Sequence, residues 1–203
     1  MSTTTTFTPK FKNLAHDLFY NDENQAVQII ISAWPTSYDV LMKLDLRLGG
    51  PGFANINCGN DGRYHSEDRD IFRPLQYIGS YFSLAAKKEA HGAWLTRDIV
   101  QAGGIQLESL VKRIAGVDRF PLGQALAEPL AKRLINATDW KRVKQYSQIY
   151  NAAKHTIDQP KDTHLFSIED AIISYFVVRK LAAVLYPLAK MKTNLRVFEQ
   201  ECP

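Results

Sequence analysis

The stretch from Ala171 to Leu188 constrains this chain more than any other. It is apolar on nearly every side of a helix and long enough to cross a bilayer, yet Arg179 and Lys180 fall at its centre. Two charges in the middle of a hydrocarbon layer are costly, whereas a helix that is apolar all round suits the interior of a folded domain. The stretch therefore predicts a buried spine, or part of a subunit interface, and no membrane span. A charge inside such a helix has to be paired or face a polar cavity. Ser167, with Asp170 three residues on, marks the start of this helix as a capping box in which aspartate takes the usual place of glutamate.

The rest of the chain supplies helices to cover that spine. Phe11, Leu14, Ala15, Leu18 and Phe19 recur at spacings of three and four, which predicts a first helix. Apolar patterning over Asn24 to Trp34 and Tyr38 to Leu48 predicts two more, separated at Pro35. The cluster Gly49-Gly50-Pro51-Gly52 ends the second of these and opens the longest expected loop, 49–65. Ser66 ahead of Glu67, Asp68 and Asp70 predicts a capped start, and Ile71, Leu75, Ile78 and Phe82 give that helix its apolar stripe to about Ala90. A helix from Leu95 through Ile114 contains Gly103-Gly104, each about 1 kcal/mol worse than alanine in a helix. Close approach of a second helix would account for that pair. Pro121-Leu122-Gly123 opens a short helix through Leu134, and Thr138-Asp139 opens the next.

No segment alternates with period two over more than a few residues, and nothing repeats every 20–50 residues, which argues against a sheet and a solenoid. The expected fold is an all-α bundle of about six to eight helices with a central apolar C-terminal helix. Residues 1–9 read as a disordered tail ahead of one domain, 10–203. With 203 residues, 45% of them hydrophobic, one sizeable core is expected. A formal charge of +4 describes a mixed surface, with no polycationic arm. Cys58 and Cys202 do not form the dense pattern of a disulfide scaffold, and the first residues lack a basic segment followed by an apolar one. A cytoplasmic protein is expected on both grounds.

Chemistry concentrates in Tyr150-Asn-Ala-Ala-Lys-His155. On a helical wheel, Trp140, Val143, Tyr146, Ile149, Tyr150 and Ala153 share one side, and Lys141, Lys144, Gln148, Asn151 and His155 the opposite arc. Asn151 and His155, four apart, could address one ligand together, with Lys141 and Lys144 in reach of a phosphate. The same arc also fits a solvated face whose terminal histidine complements the helix dipole.

The order Leu107-Glu-Ser-Leu-Val-Lys-Arg-Ile, then Pro-Leu-Gly at 121–123, then Ile149-Tyr-Asn-Ala-Ala-Lys-His155, then an apolar helix, resembles the HEPN superfamily over about residues 90–190. The resemblance implies a helical, often dimeric protein, with metal-independent ribonuclease activity in many members of toxin–antitoxin, anti-phage and RNA-processing systems. The family signature is an arginine followed five positions later by histidine, frequently with asparagine or another polar residue directly after the arginine. Asn151 and His155 match it as catalytic candidates, and Tyr150 stands at the arginine position. A phenol cannot replace the cationic fork that an arginine offers a scissile phosphate. His155 could still serve as general acid or base, since an imidazole titrates near 6.5. The missing charge would then come from Lys154 or Arg179, although Arg179 is also placed to pair with a carboxylate such as Asp139 or Asp170. The implied function is an RNA-binding protein or metal-independent ribonuclease of a defence, stress or toxin–antitoxin type. A non-catalytic helical protein-interaction module is the alternative. RNA or a nucleotide, a second copy of the chain and an antitoxin-like protein are the expected partners, with no cofactor.

Other constellations fail on chemistry. Residues 57–68 have Gly59 where a calcium loop needs a carboxylate or amide ligand, and Asp68 in place of its final glutamate. His65-Ser-Glu67 lacks the cysteine pair of a zinc deaminase, and the glycine cluster at 49–52 lacks the Gly-Lys-Ser/Thr of a phosphate loop. Arg63, His65, Arg69 and Arg73 form a basic group diluted by Glu67, Asp68 and Asp70. His16, His91 and His164 have no partners at recognisable spacing.

Overall fold

The computed structural model describes residues 5–6, 8–49, 52–54, 69–87, 92–155 and 164–189, and within them the chain is helical. The helices are α1 (Thr8–Leu18), α2 (Asn21–Ser32), α3 (Tyr38–Arg47), α4 (Arg69–Lys87), α5 (Gly92–Ala115), α6 (Leu122–Ala127), α7 (Pro129–Leu134), α8 (Ala137–His155) and α9 (Ile168–Leu188). Nine helices among the described residues exceed the expected six to eight, chiefly because the stretch 122–134 is two helices. Pro129 opens α7 and forces Glu128 before it into an extended conformation (φ −60°, ψ 140°), which breaks the run. Thr5–Thr6 (β1) and His164–Leu165 (β2) form a two-residue parallel pair, so part of the expected tail touches the segment leading into α9.

The spine is as expected. Residues 171 to 179 of α9 are all buried, and the helix packs on α5, α1 and α2. It is long and apolar enough to cross a membrane, but 72% of its most apolar stretch is covered by the other helices. Its capping box is formed: Ser167 Oγ accepts from the Asp170 N–H at 3.1 Å, and Asp170 Oδ2 accepts from the Ser167 N–H at 2.8 Å. Helices α4 and α5 pack along each other, α6 and α7 fold over α5, and α8 lies against α5 and α9. The cap of α8 is Asn136, whose Oδ1 accepts from the Asp139 N–H at 2.9 Å, ahead of the expected Thr138.

Gly103 and Gly104 mark the point where α8 presses on α5. A Cβ at Gly103 would lie 2.9 Å from both the Tyr146 hydroxyl and Val178 Cγ2, and one at Gly104 only 2.1 Å from Tyr150 Cδ2. Tyr146 donates to the Val100 carbonyl at 3.1 Å and shares a hydrogen bond with Ser174 at 2.8 Å, tying α5, α8 and α9 together.

Candidate functional site

The last two turns of α8 divide into a buried and an exposed half. Tyr150 is 1% exposed and its ring lies against Gly104. Burial and the adjacent Glu108 carboxylate push its hydroxyl well above the ordinary tyrosine value. Lys154, one turn on, places Nζ 4.2 Å from the Tyr150 ring centroid and 3.4 Å from Glu108 Oε2. Glu108 is the hub of this cluster. It also accepts from Lys112 Nζ at 2.8 Å and from the Leu122 N–H, at the start of α6, at 3.2 Å. Burial alone would raise the Glu108 pKa. The Lys112 hydrogen bond and the charges of Lys154 and Lys112 outweigh it and hold the carboxyl below the usual 4.5.

That shift has a measurable sign. A carboxyl with a depressed folded-state pKa contributes stability that is present above its unfolded value and lost as pH falls through the folded one. Glu108→Gln is therefore expected to destabilise the protein at pH 7 and to have a smaller effect below about pH 4. Urea midpoints at the two pH values check this, and an equal loss at both would show that the cluster's charge is not involved.

The exposed half of α8 carries Lys141, Lys144, Gln148 and Asn151. Lys144 holds its ammonium 4.9 Å from the Trp140 ring centroid, and the indole donates to the Leu126 carbonyl at 2.9 Å. His155 is the last residue of α8, and its side chain lies outside the described residues. The structure thus joins Tyr150 to Lys154 and places Asn151, Lys141 and Lys144 on one solvent-facing arc. Residues 129–155 hold six lysines and arginines against one acid, Asp139, a net +5 where the entire chain has +4. Lys132 and Arg133 on α7 are exposed like Lys141 and Lys144, and among the described residues none of the four has a carboxylate partner. The charge asymmetry of this stretch was the available signal for Lys132 and Arg133.

Arg179 belongs to a different constellation. It is 3% exposed, and Nε donates to Asp45 Oδ1 at 2.6 Å while Nη2 donates to the carbonyls of Asp45 and Gly49 at 3.1 and 2.6 Å. Its carboxylate partner is Asp45, in place of Asp139, which pairs with Arg142, or Asp170, which caps α9. Tyr175 donates to the same Asp45 oxygen at 2.5 Å, and Asp45 Oδ2 accepts from the Ala54 N–H at 2.8 Å. The Phe53 N–H donates to the Tyr175 hydroxyl at 3.0 Å. Gly52 packs so tightly on this carboxylate that a Cβ there would lie 2.4 Å from Asp45 Oδ2. Desolvation would lower the Arg179 pKa, but Asp45 and Tyr175 more than offset it and hold it above its ordinary value. The network fastens the end of α3 and the segment 52–54 to the spine.

Of the remaining sequence candidates, Arg73 and His16 are exposed. Arg63, His65 and His91 and the side chains of Arg69 and His164 lie outside the described residues. No group of three or more metal-ligating side chains occurs among the described residues. Comparison with known protein families, with curated proteins and with solved structures returns no match.

Proposed function

We propose that the chain is a non-catalytic helical module on a HEPN-like frame that binds RNA through its α7–α8 face. The observation that carries this reading is the burial of Tyr150. The position where the family signature has an arginine faces the core, packed on Gly104, with no path to a scissile phosphate. Lys154 holds its ammonium against the ring of the buried Tyr150 and 3.4 Å from Glu108, which orients it toward that carboxylate, and Arg179 is committed to Asp45. What remains for a polyanion are the exposed cations Lys132 and Arg133 of α7 and Lys141 and Lys144 of α8, none with a carboxylate partner among the described residues, and along α8 the exposed amides of Gln145, Gln148 and Asn151. Cations position a phosphate backbone, and amides can meet bases or sugars. A cytoplasmic setting and a homodimeric assembly fit this reading.

Four phosphate contacts to a single strand give a slope of log affinity against log salt of about −3, so a fourfold rise in salt weakens binding about fiftyfold. Fluorescence anisotropy with a labelled single-stranded RNA measures it. Lys141→Gln with Lys144→Gln is expected to halve the slope, to about −1.4. Binding indifferent to salt and to these substitutions would refute the proposed face. A second reading, a protein-interaction module, draws on Tyr77 of α4 and Ile105 of α5, both large, apolar and exposed on helices that pack together. It would be favoured by absence of RNA binding together with self-association lost on Ile105→Glu.

A further inference from the structure

On a side of α8 apart from its lysine arc, four helix ends meet around the spine. The end of α1, the start of α2, the end of α3 and the start of α8 enclose an open cleft of about 610 Å³ against Arg179, Lys180, Ala183 and Val184 of α9. That volume lies in the range of pockets that hold small organic ligands. We propose that this cleft binds an organic oxyanion, a phosphate monoester or a carboxylic acid bearing an apolar group.

The case rests on which hydrogen-bonding groups of the lining are already used. Glu23 has a donor on each oxygen, Lys180 Nζ at 2.9 Å on Oε1 and the Tyr20 N–H at 2.9 Å on Oε2. Asp139 likewise accepts from Arg142 on Oδ1 and from the Asn136 amide on Oδ2. The cations are not used up in the same way. Lys180 gives Glu23 one of the three donors of an ammonium. Arg142 gives Asp139 and the Asp17 carbonyl two of a guanidinium's five. Arg47 makes one 3.3 Å contact, to Asp22, and both side chains are exposed. Exposed pairs of this kind are weak and readily exchanged for a ligand. Among the described residues both oxygens of Glu23 and of Asp139 are taken, and the third lining carboxylate, Asp17, is 55% exposed with His16 Nδ1 3.6 Å from Oδ1. Four lining cations, Arg47, Arg142, Arg179 and Lys180, thus stand against three carboxylates and leave a surplus of donors. A ligand that complements it is rich in acceptor oxygens and negatively charged.

The rim supplies the apolar part. Tyr20 is 71% exposed at the mouth, with the Lys180 ammonium 4.5 Å from its ring centroid, and Val184 beside it on α9 is 39% exposed. A tyrosine left this open, next to an aliphatic side chain and over a charged floor, gives an amphiphilic ligand both of its surfaces. Lys141 and Lys144 play no part, since they lie on the exposed arc of α8 and do not line the cleft.

Isothermal titration calorimetry of the full chain with inorganic pyrophosphate and with citrate tests the site. Saturable one-to-one binding of either anion is expected, and which of the two binds assigns the ligand to phosphates or carboxylates. Arg47→Gln, an exposed change that should leave the melting temperature unaltered, and Lys180→Gln are each expected to weaken binding about tenfold. Lys141→Gln with Lys144→Gln should leave it unchanged. Failure of both anions to bind saturably would overturn the proposal. So would binding that survives Arg47→Gln and Lys180→Gln but is lost with the α8 lysines, which would place the anion on the RNA-binding face instead.

Discussion

Asp45→Ala is expected to lower the unfolding free energy by about 3–5 kcal/mol, as when one partner of a buried ion pair is removed. The substitution strips Arg179 of its counter-charge at a site 3% exposed and in the most apolar helix of the protein. It also deprives the Tyr175 hydroxyl and the Ala54 N–H of their acceptor. Both are buried, and an unsatisfied buried donor costs about 1–3 kcal/mol. Removing both charges, as Asp45→Leu with Arg179→Met, is expected to be less damaging than either single change, because no charge is then left unpaired. Urea unfolding of Asp45→Ala, Arg179→Met and the double variant measures this. Near-wild-type stability of Asp45→Ala would mean that Arg179 reaches solvent and that the spine is not packed as described.

Gly104→Ala is expected to cost about 1–3 kcal/mol or more, the range for overpacking a filled core. The added methyl would fall 2.1 Å from Tyr150 Cδ2, within the ring of a side chain that is itself buried, so α8 would have to move away from α5. Helix propensity alone predicts the opposite sign, since alanine is favoured over glycine by about 1 kcal/mol. The direction of the effect therefore distinguishes close helix contact from a merely tolerated glycine. Combining it with Tyr150→Ala, which empties the space, should leave only the helix propensity, so that Gly104→Ala stabilises that background by about 1 kcal/mol. A stabilising Gly104→Ala in the otherwise unaltered chain would contradict the contact.

Much of the frame could be read from the sequence because it depends on local pattern. The apolar run at 171–188 marked the spine, Pro35 marked the break between α2 and α3, and the wheel of α8 put Tyr146, Ile149, Tyr150 and Ala153 on the buried side. What escaped depends on contacts distant in sequence. Arg179 was recognisably in need of a partner, but Asp45 lies 134 residues away. The signal was there in retrospect, for Asp45 sits on the stripe of Leu41, Leu44 and Leu48, where an apolar residue is expected. Lys154 looked like a free cation beside Tyr150 because nothing local announces that Glu108 on α5 faces it. The split at Glu128 was local and missed, since a leucine and alanine pattern continued through Pro129. The cleft could not be foreseen at all, being the meeting point of four helix ends.

In the proposed reading Tyr150 stands where the HEPN signature has an arginine, and its burial makes absence of RNA cleavage the central claim. Its most direct test is incubation of the purified full chain with single-stranded and structured RNA in EDTA, beside a His155→Ala preparation handled identically. The expected result is intact RNA with both proteins, while the same RNA is bound in a salt-dependent way. Cleavage in EDTA by the wild-type chain that disappears with His155→Ala would contradict it.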